Sequence, residues 1–227
     1  MQENIGRHEI KHYINYADLL QIRSRLDLVM LQDEHTTGNG GYQVRSLYFD
    51  NYADKALLEK LNGVDDREKF RLRLYNGDPN LIHLEKKSKS SGLCFKQTSV
   101  IPQEICEELL RGEFSSLKQL GSPLLDEFYA KIHYQQLRPR TIVEYQREAY
   151  KLDAGNVRVT LDHHIRSSNQ PDHFFAKDYP CFPLADVCVL EVKYDNFLPE
   201  LVRAVTALSS RQSTSFSKYA VSRLNQE

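Results

Sequence analysis

Cationic side chains stand at every second position of segments that otherwise read as β-strands. In Phe70-Arg71-Leu72-Arg73-Leu74 the apolar residues alternate with arginines. A strand sends successive side chains to opposite faces, so Lys69, Arg71 and Arg73 share one face and Phe70, Leu72 and Leu74 the other. The same spacing groups Arg7 with Glu9 and Lys11, Glu85 with Lys87 and Lys89, Tyr145 with Arg147, Arg158 with Thr160 and Asp162, and Glu191 with Lys193, while Lys96 stands alone between Phe95 and Gln97. Glu-x-Lys recurs at Glu9/Lys11, Glu85/Lys87 and Glu191/Lys193. Such a set suits a chain of phosphates. Arginine forks take phosphate oxygens in pairs and lysines supply point charge. A divalent cation bridging phosphate oxygens needs a few carboxylates. Phosphoryl transfer then asks mainly for positioning and charge stabilisation.

Bulk charge does not announce a polyanion. Lys plus Arg is 30 against 31 Asp plus Glu, for a net charge of −1, so any such binding rests on where the cations sit. The alternation also has an ordinary reading. Antiparallel sheets often wet one face and lace it with cross-strand ion pairs, and a sandwich or open sheet would give the same pattern.

The elements that must position these residues follow from periodicity and turn chemistry. Strands are expected over residues 7–14, 42–50, 67–75, 81–88, 93–101, 140–152, 157–166 and 186–194. Helices are expected over the stretch after an Asn15 N-cap, over 52–61 up to Asn62-Gly63, from Pro102 to Gly112, over 123–136, and over 197–208 and 216–224. Asn76-Gly77-Asp78-Pro79 reads as the turn of a hairpin, residues 35–41 as a loop, and 167–185 as irregular. About eight antiparallel strands are enough to close a barrel. The expectation is an α+β fold, an eight-stranded antiparallel β-barrel tunnel with peripheral helices, forming one domain over residues 1–227.

Other candidates carry less. Cys94, Cys106, Cys181 and Cys188 form no CxxC pair or other metal spacing and read as idle or buried thiols. His163 and His164, adjacent on a strand, should point to opposite faces and share no metal. His8 and His12 should face away from the charged side. Ser213 to Ser217 reads as an N-cap region rather than a nucleophile motif, and Glu104, Glu107 and Glu108 as a solvated helix face. No apolar signal segment opens the sequence, and no run approaches the ~18 apolar residues of a membrane span. A cytoplasmic protein is expected, with association to the inner face of a membrane through a partner left open.

Taken in order, Arg7-His8-Glu9-Ile10-Lys11, Ser46-Leu47-Tyr48-Phe49-Asp50-Asn51, Phe70-Arg71-Leu72-Arg73-Leu74-Tyr75, Leu84-Glu85-Lys86-Lys87, Glu144-Tyr145-Gln146-Arg147, Val157-Arg158-Val159-Thr160-Leu161-Asp162, Leu190-Glu191-Val192-Lys193 and Phe216-Ser217-Lys218-Tyr219 form a set that resembles the polyphosphate polymerase domain of the vacuolar transporter chaperone (VTC) family, one of the triphosphate tunnel metalloenzymes. The resemblance runs from about Gly6 to Leu224. It implies transfer of the γ-phosphoryl group of ATP to a growing inorganic polyphosphate chain, an ATP-polyphosphate phosphotransferase of the polyphosphate kinase type. Carried over by motif, it implies catalytic roles for Lys11, Arg71, Arg73, Lys87, Arg147 and Lys218, substrate binding by Lys96, Tyr145, Arg158 and Lys193, and Glu191 as ligand to Mn²⁺ or Mg²⁺, with Glu9 and Glu85 as weaker candidates for metal binding or for orienting neighbouring lysines.

One departure bears on the reaction. Superfamily members that hydrolyse triphosphates often begin Glu-x-Glu-x-Lys, whereas this chain has Arg7-His8-Glu9-Ile10-Lys11. That change leaves fewer carboxylates for a second, water-activating metal. Eukaryotic relatives also carry an inositol-phosphate-sensing domain and membrane helices. Neither is expected here, so vacuolar location is not carried over, and moving polymer across a membrane would need a membrane-protein partner. The expected small partners are ATP, triphosphate or polyphosphate. Two readings stand beside the polymerase: a triphosphatase of the same architecture, and a non-catalytic polyphosphate-binding module. RNA binding is disfavoured because no stacking platform is evident.

Overall fold

The alternation governs the whole architecture. The structure, a computed structural model, describes residues 6–33, 41–184, 188–208 and 216–225. The elements in chain order are β1 (His8–Ile14), α1 (Tyr16–Val29), β2 (Leu31–Gln32), β3 (Tyr42–Asp50), α2 (Lys55–Leu61), β4 (Arg67–Tyr75), β5 (Ile82–Ser90), β6 (Leu93–Ile101), α3 (Gln103–Arg111), a 3₁₀ turn (Ser115–Leu120), α4 (Pro123–Gln135), β7 (Arg138–Leu152), β8 (Val157–Ser168), β9 (Phe182–Pro183), β10 (Cys188–Tyr194), α5 (Glu200–Thr206) and α6 (Lys218–Leu224). One antiparallel sheet runs β1-β10-β8-β7-β3-β4-β5-β6, with β2 added to β7 and β9 to β8. Its two edges meet where Arg7 and Cys94 exchange backbone hydrogen bonds of 3.0 and 3.2 Å. The eight-stranded tunnel in an α+β fold is thus the observed architecture.

The barrel is inverted relative to one filled by a greasy interior. Phe70, Leu72 and Leu74 face outward and pack with Ile82 and Leu84 under Cys106, Leu109, Leu124, Leu125 and Phe128 of α3 and α4. On the other side Leu19, Ile22 and Leu26 of α1 cover Val159, Leu161, Leu190 and Val192. A fully buried leucine contributes about 2 kcal/mol, so helices must cover the outer face. A third cluster seats Phe216 and Tyr219 against Tyr48, Val143 and Tyr145.

Local chemistry sets the element ends. Asn15 caps α1 in a capping box: its side chain accepts from the Asp18 N–H at 2.8 Å, and the Asp18 carboxylate accepts from the Asn15 N–H at 3.1 Å. The helix expected from residue 52 begins only at Lys55, because Asp54 is left-handed (φ 52°). Asn51 then accepts from the Lys55 N–H at 3.0 Å, and Asp50 from the N–H groups of Ala56 and Leu57 at 2.9 and 3.1 Å. The helix expected over 197–208 is trimmed to α5, with Pro199 at its N-cap. β2 and β9, two residues each, were too short for periodicity to reveal. Residues 35–40 of the expected loop over 35–41, the start of the last strand at Asp186 and Val187, and Ser213 to Ser215 lie outside the described residues. Ser217 does cap α6, accepting from the Ala220 N–H at 3.4 Å.

His163 and His164 require a correction. The β7–β8 register shifts between Glu144 and Gln146, and His164 takes a left-handed conformation (φ 49°). This bulge breaks the alternation and brings the two rings together, with Nδ1 atoms 2.5 Å apart. They remain outside any group of three metal-ligating side chains among the described residues.

Candidate functional site

The strand register turns the Glu-x-Lys motifs into a checkerboard. β1 and β10 run antiparallel with Glu9 opposite Lys193 and Lys11 opposite Glu191, so like charges never face each other across that pair. Lys193 lies 2.5 Å from one Glu191 oxygen and Lys11 3.5 Å from the other. Glu9 contacts Lys11 and reaches across the tunnel to Lys87 at 2.6 Å. Burial alone would raise the Glu191 carboxyl, but Lys11, Lys193 and Lys87 outweigh it and hold it well below the usual range. Glu9 is held low in the same way, chiefly by Lys87 and Lys11. Lys11 is driven upward, since Glu191 and Glu9 overcome its own burial.

The third motif works differently. Glu85, 1% exposed, sits opposite Arg71 in the β4–β5 register. It accepts from the Arg71 Nε at 2.7 Å and lies 3.7 Å from Arg73 and 2.6 Å from Lys96. Glu85 therefore orients three cations rather than standing free for a metal. Arg73 also donates to the Tyr145 hydroxyl at 2.9 Å and to Ser46 at 3.2 Å, and Arg71 donates to Tyr48 at 3.0 Å. Opposite them, Asp162 takes a two-pronged bond from Arg147 at 2.7 and 2.8 Å and a third from Lys218 at 2.5 Å. Against its complete burial, Arg147 and Lys218 hold Asp162 at about 2.

Lys218 reaches this point through two motifs far apart in sequence. Tyr219, next to it on α6, donates to Asp50 at 2.6 Å, and Arg223 pairs with Asp54 at 2.6 Å. Asp50 is the same side chain that starts α2. The Tyr48-Phe49-Asp50-Asn51 and Phe216-Ser217-Lys218-Tyr219 segments thus lock into one another and fix α6 against the barrel.

Lys11, Arg71, Arg73, Lys87, Tyr145, Arg147, Glu191, Lys193 and Lys218 all line one central cavity. Lys96 and Arg158 do not. They line the mouth beside it, where Arg158 pairs with Asp33 at 2.6 Å and donates to Tyr42 at 3.0 Å. Arg7 belongs to that mouth as well, held by Asp195 at 2.6 Å. His8, expected to face away, lies at the same rim, stacked on Tyr194. The opposite mouth carries Lys60, Arg67 and Lys89. Lys87 lines the central cavity and both mouths, so the three spaces adjoin one another at that side chain.

Lys69 and Tyr48 also line the central cavity, and motif carry-over had not assigned them. Lys69 shares the face of Arg71 and Arg73, so alternation alone was sufficient to find it. Tyr48 was hidden because tyrosine in a strand reads as core. Lys69 lies 3.4 Å from the Ser217 hydroxyl and 5.4 Å from the centre of the Tyr48 ring. Among the described residues it makes no ion pair with a carboxylate. Burial, with Lys87, Arg71 and Lys11 nearby, pushes its ammonium down to about 7. Tyr48 meets it from above: burial is outweighed by Arg71 and Lys69, which bring the phenol down to about 7.

A divalent metal fits this donor set in one way. The carboxylates are hard oxygen ligands of the kind Mg²⁺ and Mn²⁺ take, but lysines and arginines occupy them, and no group of three or more acidic, His or Cys side chains gathers among the described residues. An ion could be held by Glu191 together with phosphate oxygens brought by a ligand.

The VTC domain family model matches residues 6–225. No curated protein sequence matches the chain. Among solved structures, a candidate adenylate cyclase from Bacillus halodurans aligns at a TM-score of 0.52 and 12% identity over 88% of this chain and 87% of that one. At that identity the likeness is one of fold. The PH1819 protein of Pyrococcus horikoshii OT3 aligns at 0.48 and 13% over 97% and 99%, and a Mimivirus capping enzyme triphosphatase at 0.37 and 14% over 89% and 91%. No helix among the described residues is long and apolar enough to cross a membrane.

Proposed function

The chain belongs to the VTC domain family, and from that premise we propose that it is a metal-dependent phosphotransferase, a single tunnel domain that moves the γ-phosphoryl group of ATP onto inorganic polyphosphate. The observation that carries this reading is the convergence of Lys11, Arg71, Arg73, Lys87, Arg147, Lys193 and Lys218 on one central cavity that shares lining residues with the mouth on either side. A cul-de-sac would suit a small triphosphate. A passage also suits a polymer that must grow past the reaction point.

In this reading the terminal oxygen of the polyphosphate chain attacks the γ-phosphorus, the bond to the β,γ-bridging oxygen breaks, and ADP leaves. The attacking oxygen is already anionic, so no general base is assigned. Arg71, Arg73 and Arg147, held by Glu85 and Asp162, turn the remaining positive charge of their guanidinium groups toward the equatorial oxygens, and Lys11, Lys87 and Lys218 neutralise charge on the attacking and leaving oxygens. Lys96, Tyr145, Arg158 and Lys193 hold flanking phosphates. Glu191 would hold Mn²⁺ or Mg²⁺ jointly with phosphate oxygens. When bound, that ion would neutralise charge on the β- and γ-phosphates. Glu85 and Asp162 keep the arginines in place before any ligand arrives.

The test is incubation with ATP and Mn²⁺ or Mg²⁺, with products separated by size. Polymer plus ADP is expected. ADP and free phosphate without polymer would instead select a triphosphatase. Binding without turnover, unchanged in Glu191→Gln, would select a polyphosphate-binding module. Arg7, committed to Asp195 at the rim, stands where a hydrolase would place a further carboxylate, and this favours holding a long polyanion over hydrolysis.

A further inference from the structure

Outside the tunnel, one place on the barrel departs from its own pattern. Gln43 lies opposite Gln146 in the β3–β7 register, and Gln146 opposite His163 in the β7–β8 register. Three strands therefore present a polar row on the outer face, which elsewhere is apolar and covered by helices. The row ends at the bulge in β8, where His164 holds a φ of 49°, a conformation that favours glycine over histidine. The bulge swings His164 back beside its neighbour and sets the two Nδ1 atoms 2.5 Å apart. Behind His163, its Nε2 lies 3.0 Å from Glu148 Oε1, and Arg23 of α1 donates to both oxygens of the same carboxylate at 2.5 and 2.7 Å. Burial alone would raise the Glu148 carboxyl, but the bonds from His163 and Arg23 outweigh it. The carboxylate is therefore an acceptor, and neutral His163 carries its proton on Nε2. That leaves the Nδ1 lone pair of His163 bare and next to Nδ1 of His164, in an open cleft of about 650 Å³ that Gln43 and Gln146 also line.

We propose that His163 and His164 bind a divalent transition-metal ion of the Zn²⁺ or Cu²⁺ class through their Nδ1 atoms. The inference is independent of the phosphotransferase reading, and this ion is not the one Glu191 would hold in the tunnel. A carboxylate behind a histidine fixes the ring and its tautomer and raises its basicity as a ligand; here Arg23 in turn fixes the carboxylate. Imidazole nitrogen suits Zn²⁺, Cu²⁺ and Ni²⁺, whereas Mg²⁺ keeps to oxygen. At about 2.1 Å per bond, a right angle at the metal puts the two nitrogens about 3.0 Å apart, so the rings must part by about half an ångström. His164 is exposed and free to make that adjustment. Two nitrogens are an incomplete shell, and the open cleft admits water, or the amide oxygens of Gln43 and Gln146, to the remaining positions. Charge does not oppose the ion, because the ionised groups lining the cleft, Arg23 and Glu148, neutralise one another.

The test titrates Zn²⁺ alone into the full chain by calorimetry, in phosphate-free buffer with excess Mg²⁺ to fill hard-oxygen sites. All proteins carry Cys94→Ser and Cys181→Ser, which removes the partly buried thiols as competing ligands. His164→Gly deletes one ring, and glycine takes a φ of 49° freely, so this variant should melt no lower than its parent without metal. It should lose Zn²⁺ affinity at least about tenfold. Glu148→Gln leaves both rings in place and should cost about tenfold. Electron paramagnetic resonance of bound Cu²⁺ should show coupling to two imidazole nitrogens in the parent and to one in His164→Gly. Equal Zn²⁺ affinity in the parent and His164→Gly, or a Cu²⁺ signal that this substitution leaves unchanged, would overturn the site and leave two rings that share a proton only. Unchanged affinity in Glu148→Gln would overturn the orienting role given to Glu148.

Discussion

Replacing Lys69 by methionine should make the ligand-free protein more stable and a poorer binder of phosphate chains. Lys69 is the central cation with no carboxylate partner among the described residues, and burial beside Lys87, Arg71 and Lys11 lowers it from 10.5 to about 7. Between those values the unfolded chain binds the extra proton and the folded chain does not, so this group makes stability rise with pH across that window and leaves the folded state worst off below pH 7. The full shift corresponds to about 5 kcal/mol at pH 6 and about 2 kcal/mol at pH 9. The side chain is only half-buried, and solvent screening reduces this, so the pH-dependent gain of Lys69→Met should be nearer 1–2 kcal/mol. Denaturant unfolding of both proteins at pH 6 and pH 9 reads it, and comparing the two pH values cancels any gain from methionine packing. Tripolyphosphate titrations should show the opposite sign, with binding weakened most at low pH, where the native lysine is charged. A stability gain equal at both pH values, or larger at pH 9, would refute the argument that Lys69 is held as a strained cation awaiting an anion.

Glu85→Gln removes the partner of Arg71, Arg73 and Lys96 and should destabilise the free protein by about 3 kcal/mol. Saturating tripolyphosphate should recover much of that loss in a thermal melt, because phosphate oxygens replace the missing carboxylate. Tyr219→Phe deletes one hydrogen bond to Asp50 at about 1 kcal/mol, whereas Asp50→Ala also uncaps α2 and should lose about 2–3 kcal/mol with a fall in turnover, read from unfolding curves and steady-state rates. Asp162→Asn should lower phosphotransfer more than it lowers tripolyphosphate binding, since it frees Arg147 and Lys218 from their set positions. Parallel rate and calorimetric measurements separate the two effects.

The fold was legible where one strand carried its own signal. Phe70-Arg71-Leu72-Arg73-Leu74 names its two faces, and only closure decides which is inside. Among the described residues, closure rests on the bridge between Arg7 and Cys94, which no local pattern encodes. The central cations were legible for the same reason, alternation plus motif order. What stayed hidden was made by long-range meetings. Asp50 reads as a strand-end residue until Tyr219 bonds it from the other end of the chain. Tyr42, Tyr75, His83 and Phe95 look like scattered strand aromatics until four strands bring them to one rim of the tunnel. The bulge at His164 cannot be read from His163-His164, because the register shift depends on what β7 offers opposite.

Charge balance explains how a protein of net charge −1 can hold a polyanion. Eight cations line the central cavity, and Glu9, Glu85, Asp162 and Glu191 pair with seven of them. With Lys69 protonated, the surplus is four positive charges, close to the roughly one negative charge per phosphoryl unit that a triphosphate segment brings. Fewer carboxylates would leave a buried cation ring whose repulsion the fold could not bear. More would leave nothing for the ligand to neutralise. The glutamates of the Glu-x-Lys motifs therefore do two things at once. They keep the empty barrel closed, and through their register they set how much charge an entering phosphate chain must supply. Excess acidic residues elsewhere on the surface balance the total, which confines the attractive field to the tunnel and its mouths.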